Sequence, residues 1–417
     1  MTSATATSVI PKSILDTDLY KLTMQQAVLR CFPDVQSTYR FTHRDKDVYF
    51  TRACYERFKE AVSMFSELAL TAPERDWLEK TCPYFTASYL DYLSSYRFKP
   101  EQVHIDFVSR APEDSDEGRI EIEIAGPWVE AIFWEVPLMA TLSEIYFTTV
   151  DTDWDEEGQA ESAFGKGKAL LEAGCVVSEF GTRRRRSYHV QDLVVRQLLL
   201  AARECPGKGR VFGTSNVHLA HKHGTTPVGT IAHEWFMGVA AIRGYERANS
   251  VALNLWEEVY PGVLLLALTD TFSTKAFFQD FSEDPERARR WRGLRQDSGD
   301  PFTFAPLAQK VYSDMGIDHR EKTIIYSDSL DVDKALALQK QCSEIGFMPS
   351  FGIGTFFTND YRKASSGGKD KSKALNMVIK LASVNQIPCV KISDDLNKNT
   401  GHEGTVRQVK DMYKLHH

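Results

Sequence analysis

Between Leu138 and Phe357 the chain repeats one texture: a short apolar run, a small or polar cluster, then a helix-like stretch. The runs lie in CVVSEFGTRRRR, RVFGTSNVHLA, TPVGTIAHEW, GVLLLALTDTFST, WRGLRQDSGD, KTIIYSDSLD and MPSFGIGTFFTND. Apolar strands that alternate with helices must be covered on both faces, which is the arrangement of parallel βα units. The polar ends recur roughly every 20 to 40 residues, the size of a strand, a helix and their loops in an α/β barrel. A barrel brings its strand ends to one face, so Phe180, Arg183, Thr214, His233, Asp270, Arg295, Asp297, Asp328 and Gly354 are expected to converge. An open doubly wound sheet is the alternative, because the pattern does not prove closure.

The flanks read differently. Residues 14–137 read as an α+β domain, with a helix at DTDLYKLTMQQAVLR capped by Asp16 or Asp18, and strands at STYRFTHR and RIEIEIAG. In the last of these, Ile120, Ile122 and Ile124 alternate with Glu121 and Glu123, the period-two pattern of a sheet with one wet face. Residues 1–13 read as a disordered tail, 138–357 as the barrel, and 358–417 as a C-terminal segment that returns to the N-terminal domain. In that segment NMVIKLASV and IPCVKIS have strand texture and VRQVKDMYK reads as a helix.

Fifty Lys and Arg against 57 Asp and Glu give a formal charge of -7, which argues against a nucleic-acid or membrane-surface binder. The most apolar stretch, Val263 to Leu268, is too short to span a bilayer. Seven scattered cysteines without a C-x-x-C pair fit a reducing compartment and point to the cytoplasm.

P-loop, dinucleotide-binding, H-E-x-x-H and G-x-S-x-G motifs are absent, so any nucleotide must bind by other means. His218, His221 and His223 lack an acidic or cysteine partner nearby in sequence and read as a helix end rather than a metal site. Arg183 to Arg186 follow a strand end. A bare basic run of this kind is a solvated turn or a nuclear-localisation patch; at a barrel mouth, one or two of its forks can clamp phosphate. Gly352, Gly354 and Thr355 form a turn whose N–H groups and hydroxyl suit a monophosphate. Asp297, Asp300, Asp328 and Asp331 are candidates for ribose or Mg2+ and equally for helix capping. His233 stands beside Glu234 at a strand end, with Asp270 available to orient it. A neutral imidazole so held can take a phosphoryl group.

The motifs DTDLYKLTM, EFGTRRRRS, GTSN, GTIAHEWF, LTDTF, RQDSGDP, SDSLD and GIGTFFTND together resemble the nicotinate phosphoribosyltransferase family, in order and over nearly the whole chain. The resemblance implies an irregular α/β barrel with an α+β domain built from both chain ends, usually a homodimer with interface sites. It implies transfer from phosphoribosyl pyrophosphate to nicotinate in NAD salvage, with ATP as co-substrate, Mg2+ as cofactor and a phosphohistidine. On matching positions, His233 is the phosphorylated residue and Asp270 its orienting carboxylate. Arg295 lies beside the pyridine carboxylate, Phe180 stacks on one face of the ring and Tyr20 of a partner subunit on the other. Thr230 lies within substrate reach. Arg183 binds phosphate, Asp297 and Asp328 mark the ribose and Mg2+ region, and Gly354 with Thr355 the 5'-phosphate. Nicotinamide-using relatives carry an acid where this chain has Ser215, so Ser215 favours the pyridine acid. Two rival readings are another sugar-phosphate barrel enzyme with His233 as acid–base, and a non-catalytic regulator that binds through Arg183 to Arg186.

Overall fold

A computed structural model describes residues 9–111, 115–229, 231–394 and 399–415. The strands, in chain order, are β1 (Gln36–His43), β2 (Phe50–Thr51), β3 (Val103–Ser109), β4 (Glu117–Pro127), β5 (Val176–Glu179), β6 (Arg210–Thr214), β7 (Leu266–Leu268), β8 (Gly293–Gln296), β9 (Thr323–Tyr326), β10 (Met348–Ile353), β11 (Tyr361–Arg362), β12 (Lys371–Ser372), β13 (Met377–Val384) and β14 (Ile387–Pro388). They form two large sheets and one small ribbon, β11–β12.

The first sheet joins both ends of the chain in the order β14-β13-β1-β4-β2, with β3 on the other side of β4. β13 runs antiparallel to β1 from Ser37 opposite Val384 to His43 opposite Met377. β4 alternates exposed and buried along Glu117 to Glu123, with Ile120, Ile122 and Ile124 turned inward. The helix Leu19–Cys31 packs beneath this sheet and is buried nearly all round, so its polar Lys21, Gln25 and Gln26 need internal partners. Neither Asp16 nor Asp18 caps it through its side chain. Both carboxylates are engaged elsewhere, as described below.

The second sheet is wholly parallel, in the order β6-β5-β10-β9-β8-β7. Strands β7 to β10 follow one another in space as in sequence, and β10 then returns to β5, which is barrel-like connectivity. Of the seven strand-like runs, TPVGTIAHEW is the exception. It meets β6 only at a bridge between Thr214 and Pro227 and then enters the helix His233–Arg243. That segment stands between β6 and β7, the two ends of the sheet path. The lumen is not filled as in a packed barrel. A cavity of about 870 Å³ is lined by alternate residues of the strands, among them Val176, Ser178, Leu266, Ile325 and Ser350.

The two sheets share one aromatic core. Phe32 of the N-terminal part stacks near Trp128, and Trp128 near Trp235 of the helix that begins at His233, with ring centroids 5.8 and 6.5 Å apart. Gly238, one turn further along that helix, leaves room for Trp128; an added Cβ would lie 2.3 Å from its ring. His233 is thereby held from behind by the sheet of the chain ends. The expected tail is already packed at Pro11 and Ser13, both buried, while residues 1–8 lie outside the described residues. The expected boundary at residue 137 falls inside one helix, Glu135–Thr149.

Candidate active site

β5 ends at Glu179, and Phe180 continues its ladder by donating its N–H to Ile353 of β10 at 2.8 Å. Gly352 permits this, since a Cβ there would lie 2.3 Å from the Phe180 ring. Gly354 lies against the Phe180 carbonyl, and Thr355 opens the short turn Thr355–Thr358. Glu179 itself is buried and accepts from Thr214 Oγ1 at 2.6 Å and Gln191 Nε2 at 3.0 Å, and burial pushes its carboxyl up to about 6.

The four arginines have four fates. Arg183 is half-buried and donates to Glu135 Oε1 at 3.2 Å. Arg184 remains partly exposed; burial, followed by the nearby charges of Arg183 and Arg44, pulls its guanidinium down to about 10. Arg185 and Arg186 are core residues, which corrects the reading of the run as a solvated basic turn. Arg185 grips Asp16 with both Nη atoms, at 2.7 and 2.9 Å, and Asp16 also accepts from Asn216 Nδ2 at 2.8 Å. Burial opposes that carboxylate's charge, but Arg185 and Asn216 outweigh it and hold the group at about 2. Arg186 bonds Ser372 and lies over the rings of Phe147 and Tyr361, 3.7 and 4.3 Å from their centroids. Successive arginines point in different directions, so a run at a turn cannot present one face.

His233 is the first residue of its helix rather than the end of a strand. Nδ1 meets Thr271 Oγ1 at 3.0 Å, while Nε2 faces Asp297 Oδ2 and Lys391 Nζ, each at 3.1 Å. Lysine can only donate, and an ionised carboxylate can only accept. One proton position therefore cannot serve both: a protonated Nε2 donates to Asp297, and a neutral Nε2 offers its lone pair towards Lys391. Burial and then Lys391 pull the imidazole pKa below its ordinary value, against Asp270 and Asp297, so the neutral ring is favoured. Asp270 does not bond the ring directly. Its Oδ1 is 3.9 Å from Nε2, and its Oδ2 accepts from Ser298 Oγ at 2.5 Å and Lys391 Nζ at 3.3 Å. The ring's direct hydrogen-bond partners in the structure are Thr271, Asp297 and Lys391, with Asp270 standing behind them.

Arg295 donates to Ser327 Oγ at 2.8 Å and Asp297 Oδ1 at 3.1 Å, borders the cavity, and stands 6.0 Å from the Phe180 ring centroid. Burial works against the charge of Asp297, but Arg295, His233 and Lys391 outweigh it and hold that carboxyl well below the usual range. Asp328 is half-buried after β9, beside Ser329. Asp300 and Asp331 cap helices, accepting from the N–H of Phe302 and Lys334 at 3.0 and 2.8 Å. His218, His221 and His223 lie on one short helix, where His223 pairs with Asp192 at 2.7 Å and His221 stacks on Trp77.

Ser215 was expected at the substrate, yet its hydroxyl is buried and donates to Asp18 Oδ1 at 2.7 Å. Tyr20, expected to act from a partner subunit, is half-buried at the start of the helix Leu19–Cys31, where its ring centroid lies 5.5 Å from Lys21 Nζ and its backbone approaches Gly229. The bond from Leu19 N–H to the Ser215 carbonyl at 2.8 Å draws the start of that helix into place. Thr230 lies outside the described residues.

Sequence reasoning missed the cations supplied by the other sheet. Lys391 was read only as part of a strand in IPCVKIS, although a lysine between Val390 and Ile392 in an apolar run must find a buried anion. Lys380 of β13 is pulled down to about 7 by burial, then by Lys391 and Arg44. Cations that depress one another share a region short of negative charge.

The His233, Asp270 and Asp297 donor atoms all lie within 4.8 Å of one another. They do not fit Mg2+. Lys391 already stands against His233 and Asp270, Arg295 against Asp297, and Mg2+ prefers an octahedron of oxygens without adjoining cations.

A parallel-sheet α/β fold with a histidine, two carboxylates and converging arginines and lysines at its strand ends defines an enzyme of small anionic substrates. The chain belongs to the nicotinate phosphoribosyltransferase family. The family's model matches residues 175–417, and the model of its N-terminal domain matches residues 15–143. The nicotinate phosphoribosyltransferase of Saccharomyces cerevisiae is 42% identical over 408 residues, covering 96% of this chain and 94% of the relative. A probable nicotinate phosphoribosyltransferase of Schizosaccharomyces pombe is 42% identical over 402 residues, covering 95% of this chain and 96% of its own length. A solved Saccharomyces cerevisiae structure superposes with a TM-score of 0.94 at 40% identity, covering 98% of this chain and 99% of that chain. Among the described residues no helix is long and apolar enough to cross a membrane.

Proposed function

We propose that this chain transfers the phosphoribosyl group of phosphoribosyl pyrophosphate to the ring nitrogen of nicotinate, forming nicotinate mononucleotide for NAD salvage, and couples the transfer to ATP hydrolysis through His233. The observation that carries the coupling is the environment of His233: a neutral, half-buried imidazole whose Nε2 lone pair can face Lys391, at the edge of a cluster of cations.

In the phosphoryl step the Nε2 lone pair forms a bond to the γ-phosphorus of ATP, the bond to the bridging oxygen breaks, and ADP leaves with that electron pair. In the reactive tautomer Nδ1–H donates a hydrogen bond to Thr271 Oγ1, which leaves the Nε2 lone pair free. Water later cleaves the N–P bond and releases phosphate. In the glycosyl step the nicotinate nitrogen attacks the anomeric carbon as the bond to pyrophosphate breaks, and pyrophosphate carries away the electron pair. The sugar is cation-like between these events, so the protein must position the ring and neutralise the leaving group. Phe180 offers a face for the pyridine, and Arg295 at the cavity wall offers a fork for its carboxylate, which favours the acid over the amide. Arg183, Arg184, Arg44, Lys380 and Lys391 suit a pyrophosphate or a triphosphate tail, whose binding relieves their mutual repulsion. Tyr20 of a partner subunit covers the face of the pyridine opposite Phe180, so the active form is a homodimer with its sites at the interface.

Incubation with γ-labelled ATP tests the coupling. Label is expected on His233, and His233→Ala should lose both the label and ATP hydrolysis while keeping some ATP-independent transfer. Full ATP hydrolysis by that variant would sink the reading.

A further inference from the structure

Behind the site lies a buried ionic chain whose members Lys21, Glu135 and Glu234 take no part in the glycosyl or the phosphoryl step. Lys21 has a fully buried side chain, and its Nζ lies 2.5 Å from Glu135 Oε2 and 2.6 Å from Glu234 Oε2. Glu234 follows His233 in the first turn of the same helix, and its other oxygen accepts from Trp128 Nε1 at 2.9 Å and from the Tyr39 hydroxyl. The other oxygen of Glu135 accepts from Arg183 at 3.2 Å. The Lys21 ammonium also stands 5.5 Å from the centroid of the Tyr20 ring.

The chain of contacts therefore runs His233 helix, Glu234, Lys21, Glu135, Arg183, with two positive and two negative charges in balance. Each carboxylate has both oxygens satisfied, and Lys21 is the only cation that touches both of them among the described residues. Stability alone is a weak explanation for it, because a buried ion pair seldom outperforms apolar residues of the same volume. Its ends are more informative. One is the residue next to the phosphoryl-accepting histidine, and the other is an arginine half-open to the site.

We propose that Lys21 is a positioning residue that links the phosphorylation state of His233 to the grip of Arg183 on the substrate's phosphates. This inference rests on the reading of His233 given above. When Arg183 turns to a phosphate it draws away from Glu135, and the full charge of Glu135 then falls on Lys21. Lys21 shifts its hold from Glu234 to Glu135, and the start of the His233 helix loses one of its anchors. The reverse path carries a charge change at His233 back to Arg183, as reciprocal coupling requires.

The test uses the full-length protein and two variants, Lys21→Met and Glu135→Gln. Glu135→Gln keeps size and hydrogen-bonding atoms but removes the negative charge, and it decides the matter if circular dichroism shows that Lys21→Met fails to fold. ATP consumed per nicotinate mononucleotide formed is expected to rise several-fold in both variants. The KM for phosphoribosyl pyrophosphate should rise about tenfold in Lys21→Met, where Glu135 holds Arg183 harder, and fall about tenfold in Glu135→Gln, where Arg183 loses its competing anion, with the KM for nicotinate unchanged. A purely structural role would lower thermal stability and leave both quantities alone. Folded variants in which either stays within about twofold of wild type overturn the proposal. If wild-type protein takes no label from γ-labelled ATP, the histidine reading falls by itself, and the KM for phosphoribosyl pyrophosphate still decides whether Lys21 positions Arg183.

Discussion

The site has two walls built on different principles. One is made by the strand ends of the parallel sheet: Phe180, Arg183, Arg295 and Asp297 each follow or close a short strand, and their positions follow from the βα repeat. The other is made by the sheet of the chain ends and the segments that follow its strands, which supply Arg44, Lys380 and Lys391. The first wall carries arginines paired with acids; the second carries lysines that crowd one another. The contrast teaches a division of labour. The strand-end wall holds its arginines through bonds to Glu135, Ser327 and Asp297, and the terminal wall gathers cations that depress one another.

The strongest tie between the walls is Asp16 to Arg185, and cutting it should give the largest effect. Asp16→Ala leaves a buried guanidinium without its anion and should cost about 3–5 kcal/mol of folding stability, measured by urea unfolding. The sign with pH follows from the depressed carboxyl, held at about 2. The stabilisation is fully present above the ordinary carboxylate pKa and is lost as pH falls through the folded value, and Asp16→Ala should not show that loss.

Next in size is the strand-end wall itself. Arg295→Ala should weaken nicotinate binding by on the order of 2–4 kcal/mol, read by calorimetry, while leaving phosphoribosyl pyrophosphate binding nearly unchanged. Equal losses for both substrates would dissolve the proposed division between the walls.

The smallest effect belongs to the terminal wall. Lys391→Met removes a cation that pulls the His233 pKa down, so that pKa should rise. The neutral nucleophile is lost as pH falls through the pKa, and the acid limb of ATP-dependent phosphorylation should therefore move to higher pH. An acid limb that stays put would show that Lys391 acts on the ligand rather than on the imidazole.

The legible parts of the molecule were those encoded by local period. Six of the seven apolar runs are strands of the parallel sheet, and the alternation at Ile120, Ile122 and Ile124 marks an inward sheet face. TPVGTIAHEW failed because an apolar run with a Gly-rich turn reads alike whether it enters a sheet or merely crosses its edge. Asp16 and Asp18 were read as caps because capping is the local use of aspartate, whereas Arg185 and Ser215, distant in sequence, claim them. Ser215 was placed at the substrate by its turn, but the arrival of Asp18 on the neighbouring helix takes its hydroxyl.

The sequence by itself determined the parallel βα order, the family, and which residues stand at the strand ends. Those follow from periodicity and from motifs that are short and contiguous. Only the tertiary structure decided which of four adjacent arginines stays half-open, that Lys391 meets His233 and Asp270, and that Lys21 is buried behind them between two glutamates. The reason is physical: a charge is neutralised by whichever opposite charge the fold brings near, and these partners are separated by 48 to 213 positions along the chain.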